Sequence, residues 1–196
     1  MAVRLGADAL GLVFYPPSQR AVSIDEARII TSLQLPFVTT VALFVNSDPG
    51  FVTSVIDAVR PSMLQFHGDE TESDCAHYGI PYMKAIRVGE DCDVADQVGK
   101  FSSASALLLD TLVKGVAGGT GQRFDWGLVP KNLSAPLVLA GGLDADNVGS
   151  AIEVLRPYAV DVSGGVESGP GRKDIHRVES FVNAVRLADL DRQIIY

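Results

Sequence analysis

Residues 136–171 read PLVLAGGLDADNVGSAIEVLRPYAVDVSGGVESGPG, and this stretch decides the fold. Two short apolar runs, PLVLAGG (136–142) and AVDVSG (159–164), each end in glycines, with one amphipathic segment between them. Val148, Ile152 and Leu155 in that segment recur at core-helix spacing, and Asp144 is placed to open the helix. The unit is therefore strand–helix–strand, and glycine gathers where the strands end. A dinucleotide-binding open sheet would show G-x-G-x-x-G after an early strand. Here the glycines cluster late, in VAGGTG, LAGGLD and VSGGVESGPG. In a closed barrel, phosphate sits over the carboxyl ends of the last strands, so the pattern favours a (β/α) barrel over a doubly wound sheet.

Working outward, five more apolar runs precede this unit: ADALGLVFY (7–15), FVTTVALFV (37–45), MLQFH (63–67), YMKAIRV (82–88) and ALLLD (106–110). Most are continuously hydrophobic, as expected of parallel strands buried on both faces. Consecutive starts lie 19 to 30 residues apart, the spacing of repeated strand–helix units. Helix signals fill the intervals. Ser23 with Glu26, and Thr71 with Asp74, have capping-box spacing. Asp48 precedes Pro49 as an N-cap before a first-turn proline. Gly79 before Ile80-Pro81 fits a C-cap. The last helix begins near Asp174. No linker or composition shift divides residues 1–196, which read as one α/β domain with seven visible strands.

The composition narrows the function classes. A formal charge of −8 argues against nucleic acid as the main partner. No apolar run is long enough for a membrane span, and MAVRLGADAL lacks a signal peptide's layout, so a cytoplasmic location is expected. Cys75 and Cys92 form neither a metal-ligand cluster nor a disulfide framework. A small phosphorylated ligand needs only a few local donors, which acidity does not forbid.

The strand ends carry the candidate chemistry. The prolines of FYPPSQR stiffen a loop that would carry Arg20 across the mouth, where a guanidinium can clamp a carboxylate; otherwise Arg20 is a solvated surface residue. His67 ends the third run and can polarise a substrate or serve as a hydrogen-bonded packing residue. Asp161, read as an inward carboxylate in a buried strand, must be paired or hydrogen-bonded, and could orient substrate or brace loops. Gly141-Gly142 and Ser163-Gly164 can turn backbone amides toward a phosphate, or simply make turns. Asp110 ends the fifth run beside the segment Gly118-Gly119-Thr120-Gly121, which reads as a closing lid. A carboxyl shielded from water by such a lid can act as a general acid, although an aspartate there can also brace a loop.

Taken in order, GADALGLVFYPPSQRAVS, LQFHGDE, KAIRV, LLLDT, GGTGQRFDW, LAGGLDADNV and AVDVSGGVESGPGRKD resemble the phosphoribosylanthranilate isomerases, (β/α)8 barrel enzymes of tryptophan biosynthesis. The resemblance spans essentially the whole chain. It implies a cofactor-free, metal-free Amadori rearrangement of N-(5′-phosphoribosyl)anthranilate, an aminoaldose, to the 1-deoxyribulose aminoketose. Asp110 falls on the family's general acid and Arg20 on the residue that binds the anthranilate carboxylate. Gly141, Gly142, Ser163 and Gly164 fall on its phosphate-binding loops, and His67 and Asp161 are expected to contact substrate. Family members occur as monomers and homodimers.

Two departures stand out. The family commonly has a second serine where this chain has Gly164. Its first strand carries the general-base cysteine in a K-I-C-G-type segment, which this chain lacks, so strand 1 and most of helix 1 are expected to be missing and the chain to be an N-terminally shortened form. Cys92 is a poor substitute, because Glu90, Asp91 and Asp93 oppose a thiolate and it belongs to another strand. Cys75 is placed on an outer helix. The competing readings are a non-catalytic phosphate-ligand-binding barrel that has lost its base, and a different phosphosugar isomerisation.

Overall fold

Strand β1 (Ala9–Val13) pairs in parallel with β2 (Thr39–Phe44), and each later strand adds to the next: β3 (Met63–Phe66), β4 (Tyr82–Val88), β5 (Ala106–Thr111), β6 (Leu137–Leu139) and β7 (Ala159–Val160). The computed structural model describes residues 1–33, 36–89, 93–111, 129–130 and 135–193. All seven expected strands are present, in sequence order across one parallel sheet. The helices are α1 (Ala2–Leu5), α2 (Ile24–Ser32), α3 (Pro49–Val59), α4 (Glu72–Ala76), α5 (Val94–Lys100), α6 (Val148–Leu155) and α7 (Ile175–Gln193).

Side chains alternate along each strand, and the sheet therefore carries two cores. Odd-numbered inner positions of β2 and β3 and their in-register neighbours supply Val41, Met63, Met83, Ala85, Leu108, Val138 and Ala140, which pack as one cluster. The alternate positions, among them Leu12, Phe14, Ala42, Phe44, Leu64, Phe66, Leu107, Leu109 and Leu139, pack toward the helices. Phe44, fully buried, stacks on Phe14 at 5.6 Å and tilts against Phe66 at 6.1 Å between ring centroids. Small side chains on the inner face and large ones outside suit a sheet curled around its inner cluster. The curl is evident at the carboxyl ends, where Val13 of β1 and Asp161 after β7 line one cavity.

Local signals set most helix starts. Both capping boxes form, Ser23 with Glu26 and Thr71 with Asp74. Asp48 caps α3 by accepting from the Gly50 and Phe51 amides. Asp174 accepts from the His176 and Arg177 amides to start α7. Two expectations need correction. The sixth helix starts at Val148 and not at Asp144, whose carboxylate instead accepts from the Asp146 and Asn147 amides in a turn before it. Helix α4 ends at Ala76, and Gly79 (φ 64) serves a separate turn.

The edge strands also differ from expectation. β1 and β7 are the sheet's two edges among the described residues, and Ala9, Gly11 and Ala159 are exposed, so these strands are not buried on both faces. Asp161 follows β7 and is likewise exposed, which corrects its reading as a carboxylate enclosed in a buried strand. Beyond it the chain makes a 3-10 turn (Gly164–Val166) and an unforeseen antiparallel hairpin, β8 (Glu167–Gly169) with β9 (Arg172–Lys173). No described helix is long and apolar enough to cross a membrane.

Candidate active site

The carboxyl ends of β1, β2, β3, β5, β6 and β7 converge on one cavity, lined by Arg20, His67, Asp110, Gly141, Gly142, Asp161, Ser163 and Gly164. Every site residue expected from the sequence is in that lining. The inner-face register explains the arrangement, because Gln65, His67 and Asp110 continue the inward rows of β3 and β5 past the inner core. Asp110 is buried, with its Oδ2 3.2 Å from His67 Nε2. His67 Nδ1 in turn lies 3.1 Å from Gln65 Nε2. Across the cavity, the Asp161 carboxyl is held above the usual carboxylate range, by its seat in the cavity and then by the Asp110 charge; His67 and Lys173 pull the other way. Because the residue is exposed, desolvation is only partial, and the facing of two carboxylates is the firmer cause.

On the β1 side, a tight turn brings Arg20 back over the strand end: the Ser18 amide donates to Tyr15 O and the Arg20 amide to Ser18 Oγ. The Arg20 guanidinium is half-buried and engaged. Its Nε and Nη2 donate to Glu167 Oε1 and Oε2 at 2.9 and 2.8 Å, a bidentate pair. Lys173 Nζ donates to Glu167 Oε1 at 3.0 Å, and Arg177 Nη1 to the Glu167 carbonyl. Burial pushes the Glu167 carboxyl up, but the hydrogen bonds from Arg20 and Lys173 outweigh it and hold the group at about 2. A depressed carboxylate contributes stability that is present above its unperturbed value and is lost as pH falls toward the folded one. The contribution should therefore fade between 4.5 and about 2. Glu167→Gln should lower stability at neutral pH by about 2 kcal/mol and flatten the acid limb of a stability–pH profile. An unchanged acid limb would mean that the ion pair adds nothing.

On the opposite side, Gly141 (φ 84) and Gly142 (φ 67) both adopt the left-handed region that glycine tolerates best. The turn is pinned by Asn147, which is buried; its Nδ2 donates to Gly142 O at 3.0 Å, and its Oδ1 accepts from the Asp144 amide. Gly165 packs directly on the Leu143 carbonyl, so a β-carbon there would collide with backbone. Lys173 Nζ also donates to Ser163 O at 2.9 Å. The two glycine loops are thus fixed to each other, with Lys173 bringing a positive charge beside them.

The family described as N-(5'phosphoribosyl)anthranilate (PRA) isomerase matches residues 1–184 of the chain. The chain belongs to that family. A relative from Stutzerimonas stutzeri (strain A1501), an N-(5'-phosphoribosyl)anthranilate isomerase, is 56% identical over 186 residues, covering 95% of this chain and 90% of the relative. The crystal structure of phosphoribosyl anthranilate isomerase from Thermotoga maritima superposes with a TM-score of 0.86 at 38% identity, covering 94% of this chain and 91% of that one. A phosphoribosyl anthranilate isomerase structure in complex with reduced 1-(o-carboxyphenylamino)-1-deoxyribulose 5-phosphate gives a TM-score of 0.83 at 38% identity, over 94% and 90% of the two chains.

For a phosphoribosylanthranilate isomerase family member, the sequence left four residues of this site unremarked: Gln65, Glu167, Asn147 and Lys173. Glu167, Asn147 and Lys173 act through partners on other turns or strands, and Gln65 acts through His67 two positions on, a spacing that any strand contains. The lid expected at Gly118–Gly121 and the thiol of Cys92 lie outside the described residues. Cys75 is buried, and burial pushes its thiol up to about 12, so it is no proton acceptor. A larger cleft of about 660 Å³ lies between the β3–α4 loop and the start of α3. Its carboxylates are already engaged: Glu70 with Lys84, Asp69 with Asn46, and Asp74 with Thr71. No described group of three or more His, Cys, Asp or Glu residues could hold a metal ion.

Proposed function

We propose that this protein is an N-(5′-phosphoribosyl)anthranilate isomerase, catalysing the cofactor-free Amadori rearrangement of an aminoaldose to 1-(2-carboxyphenylamino)-1-deoxyribulose 5-phosphate in tryptophan biosynthesis. The observation that carries this reading is the placement of Asp110 on the cavity floor, with Arg20 at one wall and the two glycine loops at the other. Phosphate is bound by the amides of Gly141, Gly142 and Gly164 with Ser163, where Lys173 adds charge. Arg20 binds the anthranilate carboxylate. Of its five donor hydrogens, Glu167 takes two, and Arg20 lines the cavity. Asp110 gives its proton to the furanose oxygen, which opens the ring as a Schiff base. A base then removes the C2 proton, and the enolamine tautomerises to the ketose. His67 and Asp161 line the ribose path between these groups. The ring C–O bond breaks, and the double bond then passes from C1=N through C1=C2 to C2=O as protons move; C1 is reduced as C2 is oxidised, so no external redox cofactor is called for.

The base is assigned to an eighth parallel strand lying between β1 and β7, carrying a cysteine into the cavity. In support, those strands are edges of the described sheet, and their inner residues Ala9, Gly11 and Ala159 are exposed, as is Asp161. The remaining readings are one domain throughout and a cytoplasmic location.

The test is turnover of freshly generated phosphoribosylanthranilate, followed by loss of anthranilate-type fluorescence. The 196-residue chain is compared with one preceded by a family-type strand that carries the cysteine. The expected result is product binding by both chains and turnover only by the longer. Turnover by the shorter chain would place the base among these residues and overturn the eighth-strand assignment. Absence of turnover in both, with folding and product binding intact, would overturn the isomerase reading.

A further inference from the structure

His67 is held at more points than a substrate contact needs. Its backbone amide donates to Phe44 O at 2.8 Å, and its carbonyl accepts from Arg87 Nη2 at 3.0 Å. Its ring lies between two side chains on the inner face, Gln65 at Nδ1 and Asp110 at Nε2. Gln65 is itself buried in the row below the cavity, 6% exposed. The amide nitrogen of Gln65 can only donate, so the imidazole nitrogen facing it must be the one with the lone pair. A hydrogen on Nδ1 would meet the amide's own hydrogens. The ring hydrogen then sits on Nε2 and points at Asp110 Oδ2.

We propose that Gln65 and His67 are a positioning pair, in which Gln65 fixes the Nε2–H tautomer of His67 and His67 commits Asp110 Oδ2 to accepting a hydrogen bond. The oxygen facing His67 is thereby held as an acceptor, which makes the two carboxyl oxygens of Asp110 unequal. The proposal rests on the general-acid role of Asp110 for its catalytic meaning. An acid whose two oxygens are made unequal delivers its proton in one direction, and a carboxyl free to rotate does not. Other charges face this pair from the surrounding elements: Asp161 after β7, Arg87 on β4, and Arg20 and Lys173 at the mouth.

The tautomer can be read directly by long-range proton–nitrogen correlation on protein labelled with 15N-histidine. The chain has three histidines, and His67→Asn identifies the signals of residue 67 by their loss. The expected result at neutral pH is the Nε2–H form alone. Gln65→Glu replaces a donor with an acceptor and should convert the ring to the Nδ1–H or doubly protonated form. An Nδ1–H ring in the parent protein, or no change in Gln65→Glu, overturns the proposal. Neither readout needs turnover, so failure of the isomerase reading leaves this test standing. In a chain that turns over, Gln65→Leu should lower kcat by between about ten- and a hundredfold with little change in KM. Gln65→Glu should also move the alkaline limb of kcat to lower pH, because a ring cation favours the ionised acid. A rise in KM alone, with kcat and the pH profile unmoved, would show a purely structural role and also overturn the proposal. His67→Gln, whose longer side chain brings an amide donor to about the place of Nε2, should recover part of the kcat that the shorter His67→Asn loses.

Discussion

Asp110→Asn is expected to lower kcat by about three to four powers of ten while leaving product affinity within a few-fold. The asparagine is nearly the same size, and its carbonyl oxygen can still accept from His67 Nε2, now 3.2 Å from Asp110 Oδ2, so the cavity floor keeps its shape. What is lost is the proton, because an amide cannot supply one to a ring oxygen. The measurement is single-turnover fluorescence alongside product titration, in the chain that turns over. A variant that keeps more than about a tenth of the rate would show that Asp110 only holds loops, since general acid catalysis is worth at least about a hundredfold. Asp161, whose carboxyl is held up by the facing charge, would then be the next acid to replace.

The second large effect is on stability and lies on the helix-facing side of the sheet. Lys84→Met should destabilise the protein by about 3 to 5 kcal/mol. Lys84 is 3% exposed on β4, and its Nζ donates to Glu70 Oε2 at 2.8 Å and to Gly68 O at 2.7 Å, over the Phe101 ring. Methionine fills the same space and removes none of Glu70's burial. The carboxylate would keep its bonds from the Asn46 and Gly68 amides but lose its only described cation. Urea unfolding should show a lower midpoint with an unchanged slope. A loss below about 1 kcal/mol would mean that the amides alone satisfy Glu70. Because Gly68 follows His67 directly, the variant should also loosen the ring that faces Asp110.

The legibility of this chain followed the range of the forces involved. Strand positions, inward parity and four helix caps could be read because each depends on neighbours within a few residues. Continuous apolar runs such as ALLLD mark strands, although those at the sheet's edges are not buried on both faces. The start of α6 was misread because Asp144 and Asn147 both suit a cap: Asp144 closes a turn one step earlier, and Asn147 holds the cap position while its side chain pins the Gly141-Gly142 turn. The hairpin at Glu167–Lys173 and the pairs Arg20–Glu167 and Lys84–Glu70 left no periodic trace, since ion pairs across the sheet have no fixed spacing. Asp161 was legible as a site residue, but its exposure was not, because exposure depends on where the sheet's edges fall. The family resemblance gave roles to residues whose geometry had no local signal at all.

The Arg20–Glu167 clamp joins residues 147 positions apart. A contact of that separation closes only after the strands between have assembled, since the loop entropy must be met first. The cavity mouth is therefore among the last parts to form in folding and among the first to come undone. Ligand bound across Arg20 and the glycine loops would tie those ends together, so amide exchange in residues 14–22 and 163–173 should slow with ligand far more than in β3 and β4. Recognition and the final stage of folding thus share one latch.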